Sequence, residues 1–169
     1  EGTDIPIIAG GYKALRHYCI EALKQVSLQN KFIVIGGKTG TSKTELINEL
    51  NRAIDLEGIA NHRGSAFGRR ISSQPTQVNF ENQIALNLIK LDCPSTLSIF
   101  IEDESSSIGS LSLPKHVFSR IKISPIALIE APFEKRVEKI LNDYIISNYN
   151  EIHSYDPKNS ITLFSDFLF

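Results

Sequence analysis

The chain has 169 residues, 41% of them hydrophobic and 22% charged, which suits one domain or one domain with a short appendage and would make a two-domain enzyme cramped. Its 18 basic and 19 acidic residues give a net charge of −1, so neither a polybasic tail nor nucleic-acid affinity resting on net charge alone is expected. No apolar run nears the roughly 18–20 residues of a membrane span. No charged start followed by an apolar stretch marks a secretion signal, and the expectation is a soluble, cytoplasmic protein with no membrane partner. Cys19 and Cys93 stand far apart and outside any Cys-x-x-Cys pair; they are expected as small buried hydrophobes rather than a disulfide or a zinc site. The chain begins at Glu1 and holds no methionine, from which a segment of a longer polypeptide is expected.

In chain order, Tyr12, Leu15, Cys19, Leu23 and Val26 recur at helical spacing after the flexible pair Gly10-Gly11, predicting a first helix. Phe32-Ile33-Val34-Ile35 is a short apolar run ending at Gly36-Gly37, as a fully buried strand would read. Lys43 to Ile54 places Leu46, Ile47, Leu50 and Ala53 on one helical face, a second strand is expected near Ile54 to Ile59, and Gly58 to Thr76 reads as a long polar loop. Thr76 can cap a helix with Phe80, Ile84, Leu88 and Leu91 facing inward. Leu97 to Ile101 predicts a third strand, stopping at the acids Glu102-Asp103-Glu104. Pro114 can open a helix through Val117 and Ile121. Ile126 to Ile129 is a fourth strand, and Val137, Ile140, Leu141 and Tyr144 form the last helical face. Buried strands alternating with helices argue for an α/β, P-loop NTPase-like three-layer sandwich with a mostly parallel sheet, whose ligands gather at the carboxyl ends of the strands. Residues after about Tyr149 lose the pattern and are expected as a tail or the start of a further region.

The strongest chemical signal is Gly37-Lys38-Thr39-Gly40-Thr41-Ser42-Lys43-Thr44, lying between an apolar strand and a helix. Successive backbone N–H groups in such a P-loop wrap a phosphate, while Lys43 reaches outer phosphates and the Thr44 hydroxyl can hold Mg²⁺. Ser42 stands where the usual pattern has its second glycine. A left-handed backbone there would cost a serine about 1–2 kcal/mol, yet its N–H remains available to an anion.

Asp103 sits at a strand end where P-loop proteins place a carboxylate against Mg²⁺ or its water; Glu102 and Glu104 compete for the role, and a merely solvated strand end is the alternative. Asp55 and Glu57, on the expected second strand, could act as base or orienting residue, or be solvated polar residues. No acid lies between Glu57 and Glu81, whereas His62, Arg63, Arg69 and Arg70 do, with Gly64, Gly68 and Phe67. Such arginines can fork onto phosphates, Phe67 can stack on a base or anchor the loop, and a solvated basic loop is the plainer alternative.

These segments resemble the central part of the tRNA 2-selenouridine synthase family, in which a rhodanese-like domain precedes a P-loop domain. The resemblance rests on Gly10 to Arg16, the P-loop, Asp55 to Ser65, Phe67 to Arg70, Gln74 to Gln77, Phe80 to Asn82, Glu102 to Ser105 with Ile108-Gly109, and Glu130 to Pro132 with Glu134 to Val137. It implies an enzyme that replaces the sulfur of wobble 2-thiouridine in tRNA with selenium from selenophosphate, through an S-geranyl intermediate made with geranyl diphosphate. By that resemblance the loop residues 37–44 grip a phosphate-bearing donor, Thr44 with Asp103 or Glu102 supports Mg²⁺, and ATP or GTP need not be used. Arg63, Arg69, Arg70 and His62 contact diphosphate or tRNA, with Asp55, Glu57 and Arg63 as the catalytic candidates. The implied partners are tRNA, a selenophosphate-supplying enzyme, and a rhodanese-like domain in the same polypeptide.

Three features depart from the family: Ser42; a rhodanese region reduced to what reads as its last helix at Gly10 to Asn30; and an end, Ile161 to Phe169, unlike the helical region expected after the P-loop domain. The division expected is therefore residues 1–30 as remnant and linker helix, 31–150 as P-loop domain and 151–169 as tail. Alone, this stretch is not expected to complete selenium exchange. The alternatives are a non-catalytic nucleotide- or tRNA-binding remnant and a small P-loop kinase, the latter leaving the Asn61 to Arg70 series unexplained.

Overall fold

The computed structural model describes residues 7–65, 68–91 and 97–168. Helix α1 (Gly11–Gln29) starts after Gly10 in a left-handed conformation and buries Cys19, Ala22, Leu23 and Val26. Of the residues at helical spacing, Tyr12 and Leu15 stay 62% and 39% exposed, and the burial of α1 begins at Cys19. Strand β1 (Lys31–Gly37) follows, and then helix α2 (Lys43–Glu49). This helix stops short of Ile54, the limit expected for it, because Leu50 turns to an extended backbone.

The expected strand over Ile54 to Ile59 is corrected. Strand β2 is only Ala53–Ile54, and Leu56–Ala60 is a short helix, α3. The cause is local: the Asp55 carboxylate accepts from the Gly58 N–H at 2.6 Å as an N-cap, and Asn61 ends the helix in the left-handed conformation. Helix α4 (Gln77–Leu91) begins where the Asn79 N–H donates to Thr76 Oγ1 and buries Phe80, Ile84, Ala85 and Leu88. Strand β3 (Ser98–Glu102) comes next, then a hairpin of β4 (Ser107–Ile108) and β5 (Leu111–Ser112) that no alternation in so short a segment announces. Helix α5 (Lys115–Lys122) follows Pro114 and precedes strand β6 (Ile126–Ile129).

Strands β2, β3, β1 and β6 lie in that order in one parallel sheet, β1 pairing with β3 from Lys31↔Ser98 to Ile35↔Glu102. Parallel neighbours require crossovers, and the helices supply them. Phe32, Val34, Ile99 and Ile101 share one core with α1, α4 and α5. Because side chains alternate along a strand, Ile35 points to the other face, where Ile47 of α2 is buried. Helix α1 thus packs into the same core as β1; Arg16 adds an ion pair to Glu81 and a 2.7 Å hydrogen bond to Asn82.

Helix α6 (Phe133–Ile140) runs into a π-helical segment (Leu141–Ile146), helix α7 (Ser147–Tyr155) and helix α8 (Ser160–Leu168). The face expected to be inward on α6 is open, with Val137 and Leu141 about half exposed, since α6 is tied to the P-loop rather than laid on the sheet: Arg136 Nε donates to Thr39 O at 3.0 Å. The expected tail is a helical pair held by the Tyr149 and Phe164 rings, 5.6 Å apart edge to face, and by His153 Nδ1 3.1 Å from Ser160 Oγ. Its apolar residues are too closely interleaved with Asn, Ser and Tyr to read as helical from sequence. Among the described residues, no helix is long and apolar enough to cross a membrane.

Candidate phosphate-binding site

Strand β1 delivers the glycine-rich loop to the carboxyl edge of the sheet. Gly40 has φ +81, and a Cβ there would lie 2.5 Å from Arg136 O, so glycine is what lets α6 close onto the loop. Ser42 has φ 62 and ψ 32, the left-handed conformation that the usual glycine supplies. Its amide therefore keeps the geometry of the pattern at a backbone cost of about 1–2 kcal/mol. Lys43 curls back so that Nζ donates to Gly37 O at 2.8 Å, and Thr41 Oγ1 donates to Lys38 O at 2.8 Å.

The loop forms one wall of a cavity of about 260 Å³. Arg63 and Arg70 stand on another wall and Lys139 and Tyr144 on a third. Lys139 ion-pairs with Glu45 and with Asp143. Neither Arg63 nor Arg70 has a carboxylate partner among the described residues, and Arg70 Nε is buried without a hydrogen bond. Arg63 is held by burial and by the charge of Arg70 below the usual guanidinium range. Two guanidiniums without a carboxylate partner, in a cavity whose acids Glu45 and Asp143 are paired to Lys139 and which Glu57 also lines, are groups suited to an anion.

Beneath the loop lies a carboxylate cluster. Glu102, 1% exposed at the end of β3, accepts from the Glu57 N–H at 2.9 Å, and its Oε1 is 3.4 Å from Thr44 Oγ1. Thr44 Oγ1 also lies 3.3 Å from Glu57 Oε2. Burial pushes Glu102 and Glu104 up to about 8; at Glu102 the Glu57 N–H hydrogen bond opposes the rise, at Glu104 the Glu57 carboxylate adds to it, and burial also raises Glu57 against the opposing charge of Lys43. Asp103, the residue after β3, lies on the face of Gly36, so of the expected Mg²⁺ ligands the structure brings together Thr44 and Glu102. Among the described residues no group of three or more His, Cys, Asp or Glu is arranged to hold a metal ion. Mg²⁺ here would take one hydroxyl, one carboxylate and the donor's phosphate oxygens, the sparse set that this ion commonly accepts.

The remaining candidates separate. Asp55 caps α3 and lines a different depression with Asn48 and Asn87. His62 is buried, accepts from the Gly64 N–H through Nδ1 at 3.2 Å, and faces Arg69 in an isolated bridge. Arg69 turns outward, its guanidinium 5.9 Å from the Phe167 ring. Phe67, and likewise Cys93, fall outside the described residues. Tyr144, which the sequence offered only as part of a helical face, and Asn148, which it did not single out, reach the site: Arg63 Nη1 donates to Asn148 Oδ1 at 2.8 Å, and its guanidinium lies 5.5 Å from the Tyr144 ring. No spacing rule points to them, because the π-helical segment resets the helical phase just before Asn148.

The family model described as tRNA 2-selenouridine synthase AAA domain matches residues 30–169. Proteins named tRNA 2-selenouridine synthase from Cupriavidus pinatubonensis, Shewanella frigidimarina and Pseudomonas syringae pv. syringae are 45%, 43% and 42% identical over 86%, 85% and 86% of the chain. The chain spans only 40%, 39% and 40% of the length of these relatives. No solved structure matches it.

Proposed function

Because the chain belongs to the tRNA 2-selenouridine synthase AAA-domain family, we propose that it is the phosphate-handling part of a tRNA-modifying transferase that converts wobble 2-thiouridine to 2-selenouridine. The amides of residues 37–44 and Lys43 hold the phosphate of the donor, geranyl diphosphate in the first step and selenophosphate in the second. In the first step the thiouridine sulfur attacks C1 of the geranyl group, the C–O bond to diphosphate breaks, and the N3 proton of the base is lost. Charge builds on the departing diphosphate, and the role of stabilising it is assigned to Lys43, Arg63 and Arg70. Thr44 and Glu102 would hold Mg²⁺, which would neutralise part of the same charge. The selenium of selenophosphate then adds to C2 of the base and expels geranylthiolate, which takes up a proton, and water cleaves the Se–P bond to release phosphate and leave the selenouridine. The exposed Arg69 extends the basic surface toward the tRNA backbone. A selenophosphate-supplying enzyme and a rhodanese-like domain elsewhere in the longer polypeptide complete the scheme.

The observation that carries this reading is the glycine-rich loop lining one cavity together with Arg63 and Arg70, neither of them ion-paired among the described residues. Calorimetric titration of the chain with geranyl diphosphate, pyrophosphate and ATP, with and without Mg²⁺, tests it. Both diphosphates should bind, and Lys43→Ala should lower their affinity at least tenfold, about the worth of a charge-assisted hydrogen bond, without unfolding the protein. Absence of diphosphate binding refutes the reading. Phosphoryl transfer from ATP without tRNA would favour a small kinase, and retention of tRNA without geranyl transfer by the longer protein would favour a binding-only module.

A further inference from the structure

We propose that Asn148 is a positioning residue of the phosphate site, a neutral anchor that fixes the Arg63 guanidinium against the cavity without cancelling its charge. The inference rests on the reading of that cavity as a polyanion site. Asn148 is 1% exposed, and both ends of its amide are used: Oδ1 accepts from Arg63 Nη1 at 2.8 Å, while Nδ2 donates to Tyr144 O at 2.9 Å. The second bond fixes which end of the amide meets the arginine. Tyr144 completes the seat, its ring facing the guanidinium and its hydroxyl donating to Arg63 O at 3.4 Å. Asp143 and Glu151 act on Arg63 only at a distance, and neither forms an ion pair with it.

The chemistry of the anchor is the argument. A carboxylate at 148 would make a bidentate, nearly neutral pair with Arg63, leaving little field for an incoming phosphate. An amide oxygen takes one of the five guanidinium N–H groups and leaves the net charge and the other donors free. The helical pair at the end of the chain therefore belongs to the site, because α7 supplies the residue that aims Arg63 at the loop.

A double-mutant cycle on the full chain, with inorganic pyrophosphate as the probe in a calorimeter, separates positioning from general support of the fold. Asn148→Ala should weaken binding about tenfold, the scale of a hydrogen bond to a charged group, and should change affinity less than about twofold in an Arg63→Ala background. Asn148→Asp should match Arg63→Ala, since its carboxylate consumes the charge. Asn148→Ser, which keeps an acceptor, should recover part of the loss and provides the measurement if the alanine variant does not fold. Parent-like affinity in Asn148→Ala and Asn148→Asp, or a full additional loss on top of Arg63→Ala, overturns the assignment while leaving the anion site standing. Failure of the parent to bind pyrophosphate overturns both.

Discussion

Thr44 Oγ1 and Glu102 Oε1 face each other at 3.4 Å, which joins the start of α2 to the end of β3 next to the cavity that the glycine-rich loop lines. The carboxylate of that pair is buried beside Glu57 and Glu104, and all three are pushed above the ordinary carboxylate range. The native state therefore binds protons that the unfolded chain has released by about pH 5. The sign follows: stability is fully present below the unfolded value near 4.5, and is lost as pH rises through the folded values of about 8 for Glu102 and Glu104. Urea midpoints should fall between pH 6 and 9, and Glu102→Gln should flatten that fall. A pH-independent midpoint in the parent would show that these carboxyls titrate normally.

The same cluster predicts a proton count for metal binding. If Mg²⁺ enters with diphosphate onto Thr44 and Glu102, it needs the ionised carboxylate. Titrations at pH 7 in buffers of different ionisation enthalpy should then report proton release, and apparent Mg²⁺ affinity should climb from pH 6 to 8. Glu102→Gln should remove both effects, whereas Asp103→Asn should leave them unchanged.

Ser42 gives a stability test independent of ligand. Its φ of 62 is a conformation glycine adopts without penalty, so Ser42→Gly should stabilise the protein by about 1 kcal/mol, offset in part by the greater freedom of glycine in the unfolded chain. The amide stays in place, so pyrophosphate affinity should change less than twofold. A loss of stability would mean that the serine side chain contributes more than the backbone costs.

What could be read in the sequence divides along the range of the interactions. The strand, glycine loop and helix of residues 31–49 were legible because burial period and turn chemistry are local, and so was α4 behind its Thr76 cap. Leu56 to Ala60 misled because five residues of apolar pattern fit either a strand or one turn of helix, and the Asp55 cap decides between them. At the site, the loop residues and Arg63 and Arg70 were visible as types of group in a spacing. The choice of Glu102 over Asp103 depends on which face of β3 each occupies, and the contact of Arg63 with Asn148 spans 85 positions; neither can be inferred from neighbours along the chain.

The arginines expected to act together divide in the fold, and their substitutions should divide as well. Arg70 lines the cavity beside the glycine-rich loop, whereas Arg69 turns out toward Phe167. Arg70→Ala should weaken pyrophosphate binding about tenfold, and Arg69→Ala less than twofold. If tRNA runs over the outer surface, Arg69→Ala should reduce the salt slope of tRNA binding by about 0.7–0.9 for each phosphate that Arg69 neutralises. Equal effects of the two variants on both ligands would reject the separation.

Gly64 supplies the sharpest test of how the cationic loop sits on the carboxylates. Its φ is +64, and a Cβ there would strike Glu57 Oε1 and come within 2.8 Å of Glu104 Oε1. Gly11 is the natural control, with φ +58 and nothing within 4 Å of the same added atom. Gly11→Ala should cost only the left-handed backbone penalty of about 1–2 kcal/mol. Gly64→Ala carries that penalty and must also displace the half-buried Glu57 carboxyl and the buried Glu104 carboxyl, so its loss should be larger by about 1 kcal/mol or more. It also shifts the backbone next to Arg63, and should therefore weaken pyrophosphate binding, which Gly11→Ala should not. Equal losses of stability in the two variants, with unchanged pyrophosphate affinity in both, would mean that the loop can lift off Glu57 and Glu104 freely and that Arg63 does not depend on that contact for its place in the cavity.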